Sequence, residues 1–424
     1  MNKKETWYKL DLSANVYPTL QKRKFSSLFR ITIALKEDID PVLLQKALDV
    51  TLPRFPSMKV AMRKGLFWRY LEPNANPAPK VQPDIQNPCM PIRIKSNDRY
   101  LFRVYYFKNQ IALEVFHSLA DGNGGLCFLK TMTAVYLRMK GYEIPDGEGV
   151  LNIEEQPDPE ELEDAYIKYA NSRVPSKRSQ GNAYRIHGTQ EPFYTLNIIK
   201  GTMDVSNLKA VAKGYQVTIT EYLNAVLLYA LLEKQKADRV WKEKPVKIAM
   251  PVNLRNFFPS RTMRNFITML YPGIDPRLGE YTFEEIVKQV HHFMQYYINP
   301  KFLNADITKN ANTQQSIWIR MVPLLIKDLI VRQFYIKVQN KQSSAGLTNL
   351  GIAKVPGAME KYVVGFDVLM GQPFSSRTNC AIVSYQGVTS VNFASSIIEA
   401  DVERYFFRKL VKDGIHVKIQ SNRR

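Results

Sequence analysis

A chain of 424 residues, 45% hydrophobic and 23% charged, has the composition of a folded protein with a large buried core, and its length allows two domains of ordinary size. Lys and Arg number 59 against 39 Asp and Glu, a net charge of +20 that requires a polyanionic partner or a heavily solvated surface. The three cysteines, Cys89, Cys127 and Cys380, are far apart without Cys-x-x-Cys spacing, which argues against a disulfide framework or thiolate zinc site and for a reducing, intracellular setting.

The chain opens with Met1-Asn2-Lys3-Lys4-Glu5-Thr6-Trp7 and no apolar stretch or small-residue cleavage site follows, so no secretory signal is expected and the protein reads as cytoplasmic. Leu28 to Ile33 alternates as a strand does, and Pro41 to Thr51 carries apolar residues at helical spacing behind Asp40 as a predicted N-cap. Tyr100 to Tyr106 and Ile111 to Phe116, separated by Lys108-Asn109-Gln110, predict a hairpin. Leu126 to Lys140 predicts a helix, so His117 and the glycines at 122, 124 and 125 lie in a strand-to-helix turn. From Gly141 to Ile167 the chain holds Glu and Asp but no Lys or Arg, with prolines at 145, 157 and 159, as a crossover or linker would. A boundary between Tyr142 and Gln190 divides the chain into an N-terminal part, 1–170, and a C-terminal part, 171–424.

In the second part, Tyr194 to Ile199 predicts a strand and Val205 to Lys213 a helix. Thr218-Ile219-Thr220-Glu221 has the form of a capping box and announces the helix Tyr222 to Lys234. The apolar run Tyr222 to Leu232 is much shorter than the roughly 20 residues that span a bilayer, so no transmembrane helix is predicted. Val246 to Met250 reads as a strand, and Ala381 to Tyr385 and Ser390 to Phe393 as a hairpin around Gln386-Gly387. Strands and helices mix in both parts, which predicts an α/β or α+β fold with mixed sheets.

His117-Ser118-Leu119-Ala120-Asp121-Gly122 holds the chemistry. An imidazole at the end of a rigid strand can accept a proton at neutral pH and return it within a turnover. Asp121 can cap the following helix or pair with an Arg from elsewhere, aiming the turn. Read without context, the same residues also suit a loop histidine beside a helix cap.

The segment resembles the shared His-x-x-x-Asp-Gly motif of the CoA-dependent acyltransferase superfamily, which includes chloramphenicol acetyltransferase, alcohol acetyltransferases, plant BAHD transferases and condensation domains of nonribosomal peptide synthetases. Three further segments look like the same family in the same order: Val217-Thr218-Ile219-Thr220-Glu221, Pro251-Val252-Asn253-Leu254-Arg255 and Thr348-Asn349-Leu350-Gly351. The resemblance implies two similar αβ lobes with a tunnel between them and His117 as general base. It also implies a structural Asp121 held by Arg255, and Gly122 permitting the turn. Thr348 and Asn349, within Ser343 to Asn349, are the implied oxyanion or support residues. The implied donor is acyl-CoA and the acceptor a small or lipophilic alcohol or amine, with no covalent enzyme intermediate and no permanently bound cofactor. Condensation domains carry a second His where this chain has Phe116, and the BAHD segment Asp-Phe-Gly-Trp-Gly is missing, the nearest late segment, Gly365-Phe366-Asp367-Val368, not substituting for it. The subclass nearest in pattern is therefore the bacterial alcohol acetyltransferase-like one. A carrier-protein-dependent condensation enzyme and a non-catalytic two-lobed binding or scaffold member are the alternatives.

Other signals fit less well. Asp121-Gly122-Asn123-Gly124-Gly125 lacks the glycine and glutamate an EF-hand requires, having Leu126 and Met132 in their places. No Gly-x-x-x-x-Gly-Lys-Ser/Thr loop or Gly-x-Ser-x-Gly elbow is present, and adjacent His291 and His292 make a poor metal pair. Basic residues are scattered over both parts without a compact basic-aromatic platform, which argues against nucleic acid, while the charge suits CoA phosphates or an acyl carrier protein. Ser316 to Gln342 interleaves apolar residues with Arg320, Lys327, Arg332, Lys337 and Lys341. It reads either as a core helix with a solvated basic face or as an amphipathic helix making peripheral membrane contact or roofing an acceptor tunnel.

Overall fold

The computed structural model describes residues 7–20, 26–176, 181–192, 195–238, 243–337, 341–371 and 376–423. Outside them lie Tyr194, from which the sequence starts a strand, the N-terminal residues 1–6, and residues 338–340 of the interleaved segment.

Two sheets dominate. The first has five strands, ordered Val363–Met370, Leu28–Leu35, Gln110–Phe116, Phe102–Phe107 and Gln82–Pro83, antiparallel but for the last pair. Alternation along Leu28–Leu35 sends Phe29, Ile31 and Ile33 to one face, where Phe29 and Ile31 meet the helix Gly122–Met139 at Gly125. The helix Pro41–Thr51 packs beside it, started by Asp40, whose Oδ1 accepts from Val42 N at 2.8 Å and Leu43 N at 3.1 Å. Arg30 and Glu114 point to the opposite face, where Glu114 also accepts from Arg103 at 2.6 Å and from the Cys89 amide at 2.6 Å. A carboxylate this deeply buried is tolerated because its oxygens are matched by charged or amide donors.

The second sheet is mixed and ordered Ile267–Leu270, Val246–Asn253, Ala345–Ile352, Thr378–Tyr385, Val388–Ser395, Asn197–Asp204 and Lys418–Ser421, with Gly273–Ile274 also paired to Val246–Asn253. Ala345–Ile352 runs parallel to both its neighbours. Ile219–Ala237 packs against this sheet and against the helices Asp401–Lys412 and Phe283–Tyr297. Its capping box is complete, since Thr218 Oγ1 accepts from Glu221 N at 3.2 Å and Glu221 Oε2 accepts from Thr218 N at 2.7 Å. A small antiparallel sheet of Tyr8–Lys9, Arg69–Pro73 and Val60–Lys64 stands apart. Among the described residues no helix is long and apolar enough to cross a membrane.

These are two αβ lobes with mixed sheets, each with its own hydrophobic core. The cores do not divide the chain at one point. Val363–Met370, far along the sequence, pairs antiparallel with Leu28–Leu35 and completes the first sheet, while Ala165 and Tyr166 belong to the second core. Asp367 on that crossing strand accepts from Lys200 at 2.6 Å and Ser390 at 2.6 Å, both on the second sheet.

Where local signals end, the boundaries move. The helix after the motif begins at Gly122, four residues earlier than the apolar spacing predicts, because Asp121 caps it through Gly124 N at 3.1 Å. Val246–Asn253 runs three residues past Met250, held by antiparallel pairing with Ile267–Leu270. Ser316 to Gln342 contains two helices, Ile317–Met321 and Leu324–Lys337, broken before Pro323, which cannot continue the first. Leu325, Ile326, Leu329, Ile330 and Phe334 of the second helix face outward, so the reading as a core helix with a basic outer face does not hold.

Candidate active site

Leu28 is in register with Phe116, and one residue further the ladder continues as His117 N donates to Ser27 O at 3.0 Å. The strand then turns sharply, with Leu119 N bonded to Phe116 O at 2.8 Å and Ser118 Oγ donating to Ala14 O at 2.7 Å. The imidazole is thus fixed at the sheet's end, half-buried, stacked on Tyr17 with centroids 4.7 Å apart and met edgewise by Phe29 at 5.2 Å.

Its tautomer follows from one carboxamide. Asn265 Nδ2 donates to the His117 backbone oxygen at 2.8 Å, which turns Oδ1 toward the ring at 3.0 Å from Nδ1. An amide oxygen only accepts, so Nδ1 carries the hydrogen and Nε2 keeps its lone pair. Burial among the rings pushes the His117 pKa below the ordinary 6.5, opposed by Asp121 and the Asn265 bond. Near neutral pH the ring is an uncharged base.

Asp121 is buried under Arg255. Its Oδ2 accepts from Arg255 Nη1 at 2.7 Å and from Phe266 N at 3.0 Å, while Oδ1 serves as the helix cap. Arg255 sits in the short turn after Val246–Asn253 and uses its donors in full. Nη1 also reaches Asn253 Oδ1 at 3.3 Å, Nη2 reaches Thr262 O at 2.8 Å and Arg264 O at 2.6 Å, and Nε reaches Thr262 O at 3.1 Å.

The segment 262–266 is a cradle for the motif. Thr262 and Arg264 offer carbonyls to Arg255, Asn265 grips His117, and Phe266 bonds Asp121. Met263 presses its backbone onto the motif helix, where a Cβ on Gly124 would lie 2.1 Å from Met263 O. Only glycine permits that approach. Gly122 likewise gives way to Leu350, whose Cδ2 would sit 2.5 Å from a Cβ there.

Leu350 belongs to Ala345–Ile352, the strand carrying Thr348 and Asn349. Alternation puts Thr348 and Asn349 on opposite faces, and the register of the strand shifts after Asn349. Asn349 is committed: Nδ2 donates to Thr220 Oγ1 at 3.0 Å and Oδ1 accepts from Gly351 N at 2.8 Å. The structure therefore brings His117, Asp121, Gly122 and Arg255 together, sets Leu350 against Gly122, and ties Asn349 to the start of the helix Ile219–Ala237 instead of to the motif. Tyr17 and Asn265 have no spacing signal in the sequence. Asn265 lies 148 positions from His117 and reaches it only through the fold. Elsewhere, His291 Nδ1 meets Glu221 Oε1 at 3.0 Å, and the three cysteines are free and buried.

The fold recurs in solved structures. Polyketide synthase associated protein 5 from Mycobacterium tuberculosis superimposes with a TM-score of 0.63 at 13% identity, covering 97% of this chain and 98% of that one. TRI3 trichothecene 15-O-acetyltransferase from Fusarium sporotrichioides gives 0.60 at 12%, covering 96% and 94%. A mutant starter condensation domain of rhizomide synthetase, in complex with C8-CoA, gives 0.58 at 12%, covering 95% and 94%. This is the two-lobed acyltransferase and condensation-domain architecture. No curated protein matches by sequence. Residues 171–404 match the family model described as alcohol acetyltransferase, and the chain belongs to that family. Acyltransferase-type chemistry is thereby supported, and the matched stretch holds Arg255 and the whole 262–266 cradle while His117 lies before it.

Proposed function

We propose that this protein transfers an acyl group from acyl-CoA to an alcohol, with an amine as the other acceptor class, and that His117 is the general base. The observation that carries the reading is the Asn265 bond pair, which leaves His117 Nε2 unprotonated at the end of a rigid strand. The acceptor O–H gives its proton to Nε2 as its oxygen attacks the thioester carbonyl. As the tetrahedral intermediate collapses, the C–S bond breaks and Nε2 returns the proton to the departing thiolate. The products are an ester and a free thiol, and no group on the enzyme is acylated.

Asp121 and Arg255 act through position, keeping the turn that aims the ring. Thr348, on the face opposite the committed Asn349, is the side chain we assign as donor to the oxyanion. A donor with several phosphates suits a chain of net charge +20, and the C8-CoA bound to the rhizomide synthetase domain favours CoA over a carrier protein. Replacing His117 with Ala is expected to lower thiol release from acyl-CoA by about 10²- to 10⁴-fold, with circular dichroism and melting unchanged. Undiminished turnover in that variant would sink the mechanism. Well-folded wild-type protein that releases no thiol with any donor, across alcohols and amines, would favour a binding role.

A further inference from the structure

The segment Ile317–Phe334 inverts the usual amphipathic pattern. On the helix Leu324–Lys337 the side chains Leu325, Ile326, Leu329, Ile330 and Phe334 form one stripe at spacings of four, and every one is exposed, Leu325 to 85%. The opposite face, with Leu324, Asp328, Val331 and Tyr335, is buried or half-buried. The preceding turn of helix adds exposed Ile317, Met321 and Trp318, the last 80% exposed. Monomeric soluble proteins rarely leave a patch this continuous in water without a partner.

The stripe has a basic frame. Lys327 and Arg332 lie on its two flanks by helical geometry, and Arg320 projects from the preceding helix. Neither Arg320 nor Arg332 is ion-paired among the described residues. The one acid of the segment, Asp328, faces inward and is held by both guanidinium ends of Arg69. Beside the helix is the turn after Val60–Lys64, tied on by Leu324 N to Leu66 O at 2.8 Å and Lys327 Nζ to Phe67 O at 2.8 Å. It adds exposed Lys64, Leu66 and Trp68.

An apolar stripe edged by cations, with tryptophans at its margin, has the chemistry that lies in the headgroup region of an anionic bilayer. A second copy of the chain fits less well, because a two-fold contact through this face would set the Arg320, Lys327 and Arg332 rows against their own images. We propose that the outer face of Ile317–Phe334, with the Lys64–Trp68 turn, docks on an anionic phospholipid surface. The inner face of the same helix packs on Leu12–Leu20, where Tyr335 neighbours Tyr17, the ring stacked on His117. Docking therefore sets the base two side-chain layers from lipid and makes a membrane-dissolved alcohol the natural acceptor. That consequence rests on the acyl-transfer reading; the docking itself does not.

The test is sedimentation of the purified full chain with phosphatidylcholine vesicles, with and without phosphatidylglycerol. Wild type is expected to pellet with the anionic vesicles and about tenfold less with neutral ones. The triple variant Leu325→Gln, Leu329→Gln, Phe334→Gln and the pair Arg320→Gln, Arg332→Gln should each bind anionic vesicles at least about tenfold more weakly. Their melting should match wild type, because the replaced side chains project away from the protein. Wild type that stays in the supernatant, variants that pellet as wild type does, or a dimer that the triple variant dissolves while vesicle binding is nil would each overturn the proposal. The assay reads binding alone, so its failure is separate from a failure of thiol release.

Discussion

An imidazole packed between Tyr17 and Phe29 loses hydration that its charged form needs, and the amide oxygen of Asn265 returns only part of that stabilisation. As the proposed base His117 acts when neutral, burial holds its pKa below 6.5, and activity is then lost only as pH falls through that lowered value. The acid limb of kcat/KM should therefore have its midpoint below 6.5, with a plateau above it. Asn265→Asp puts a carboxylate against Nδ1–H, favours the imidazolium, and should move that limb upward. Asn265→Leu removes both bonds and should lower kcat by about 10- to 100-fold through misorientation, without an upward shift of the limb. A limb that stays fixed in the Asp variant would show that Asn265 only fills space.

At the scale of elements, the motif turn depends on what presses against it. Gly124→Ala drives a methyl group into Met263 O, so the motif helix and the 262–266 cradle must part. The expected cost is about 1–3 kcal/mol of stability, read by thermal or denaturant unfolding, with a fall in kcat as His117 loses its hold on Asn265. Ala at Gly141, an exposed positive-φ position with nothing near its Cβ, should reduce stability and leave kcat unchanged. The glycines at 122 and 124 were legible as part of a strand-to-helix turn, but not what approaches them. Elements whose cause is local were readable in sequence: the Asp40 cap, the Thr218 capping box, the Gln386-Gly387 turn. So was the pairing of Arg255 with Asp121, though only as an implication of the family pattern. Asn265 was not, because its role is created by two loops meeting across 148 positions. Nor was the outward stripe at 325–334, since apolar spacing gives a helix its face but not the direction in which that face points.

For the whole molecule, the division at residue 170 is a boundary in sequence that the cores do not respect. Val363–Met370 must pair with Leu28–Leu35 to bury Phe366 and Val368. A fragment 1–170 made alone leaves one edge of its main sheet open beside Leu28–Leu35, and a fragment 171–424 exposes the apolar face of a strand with no partner. The second fragment also lacks Ala165 and Tyr166 from its core, and with them the Tyr166 hydroxyl that donates to Ile267 O at 2.7 Å. Neither fragment is therefore expected to show a cooperative melt by itself. Co-expressed, they should form a soluble complex with thiol-release activity, because three contacts that complete the site span the two: His117 to Asn265, Asp121 to Arg255, Gly122 against Leu350. Two fragments that each melt cooperatively alone would mean that the crossing strand adds to lobes already stable, and the site would then be a surface contact between independent domains.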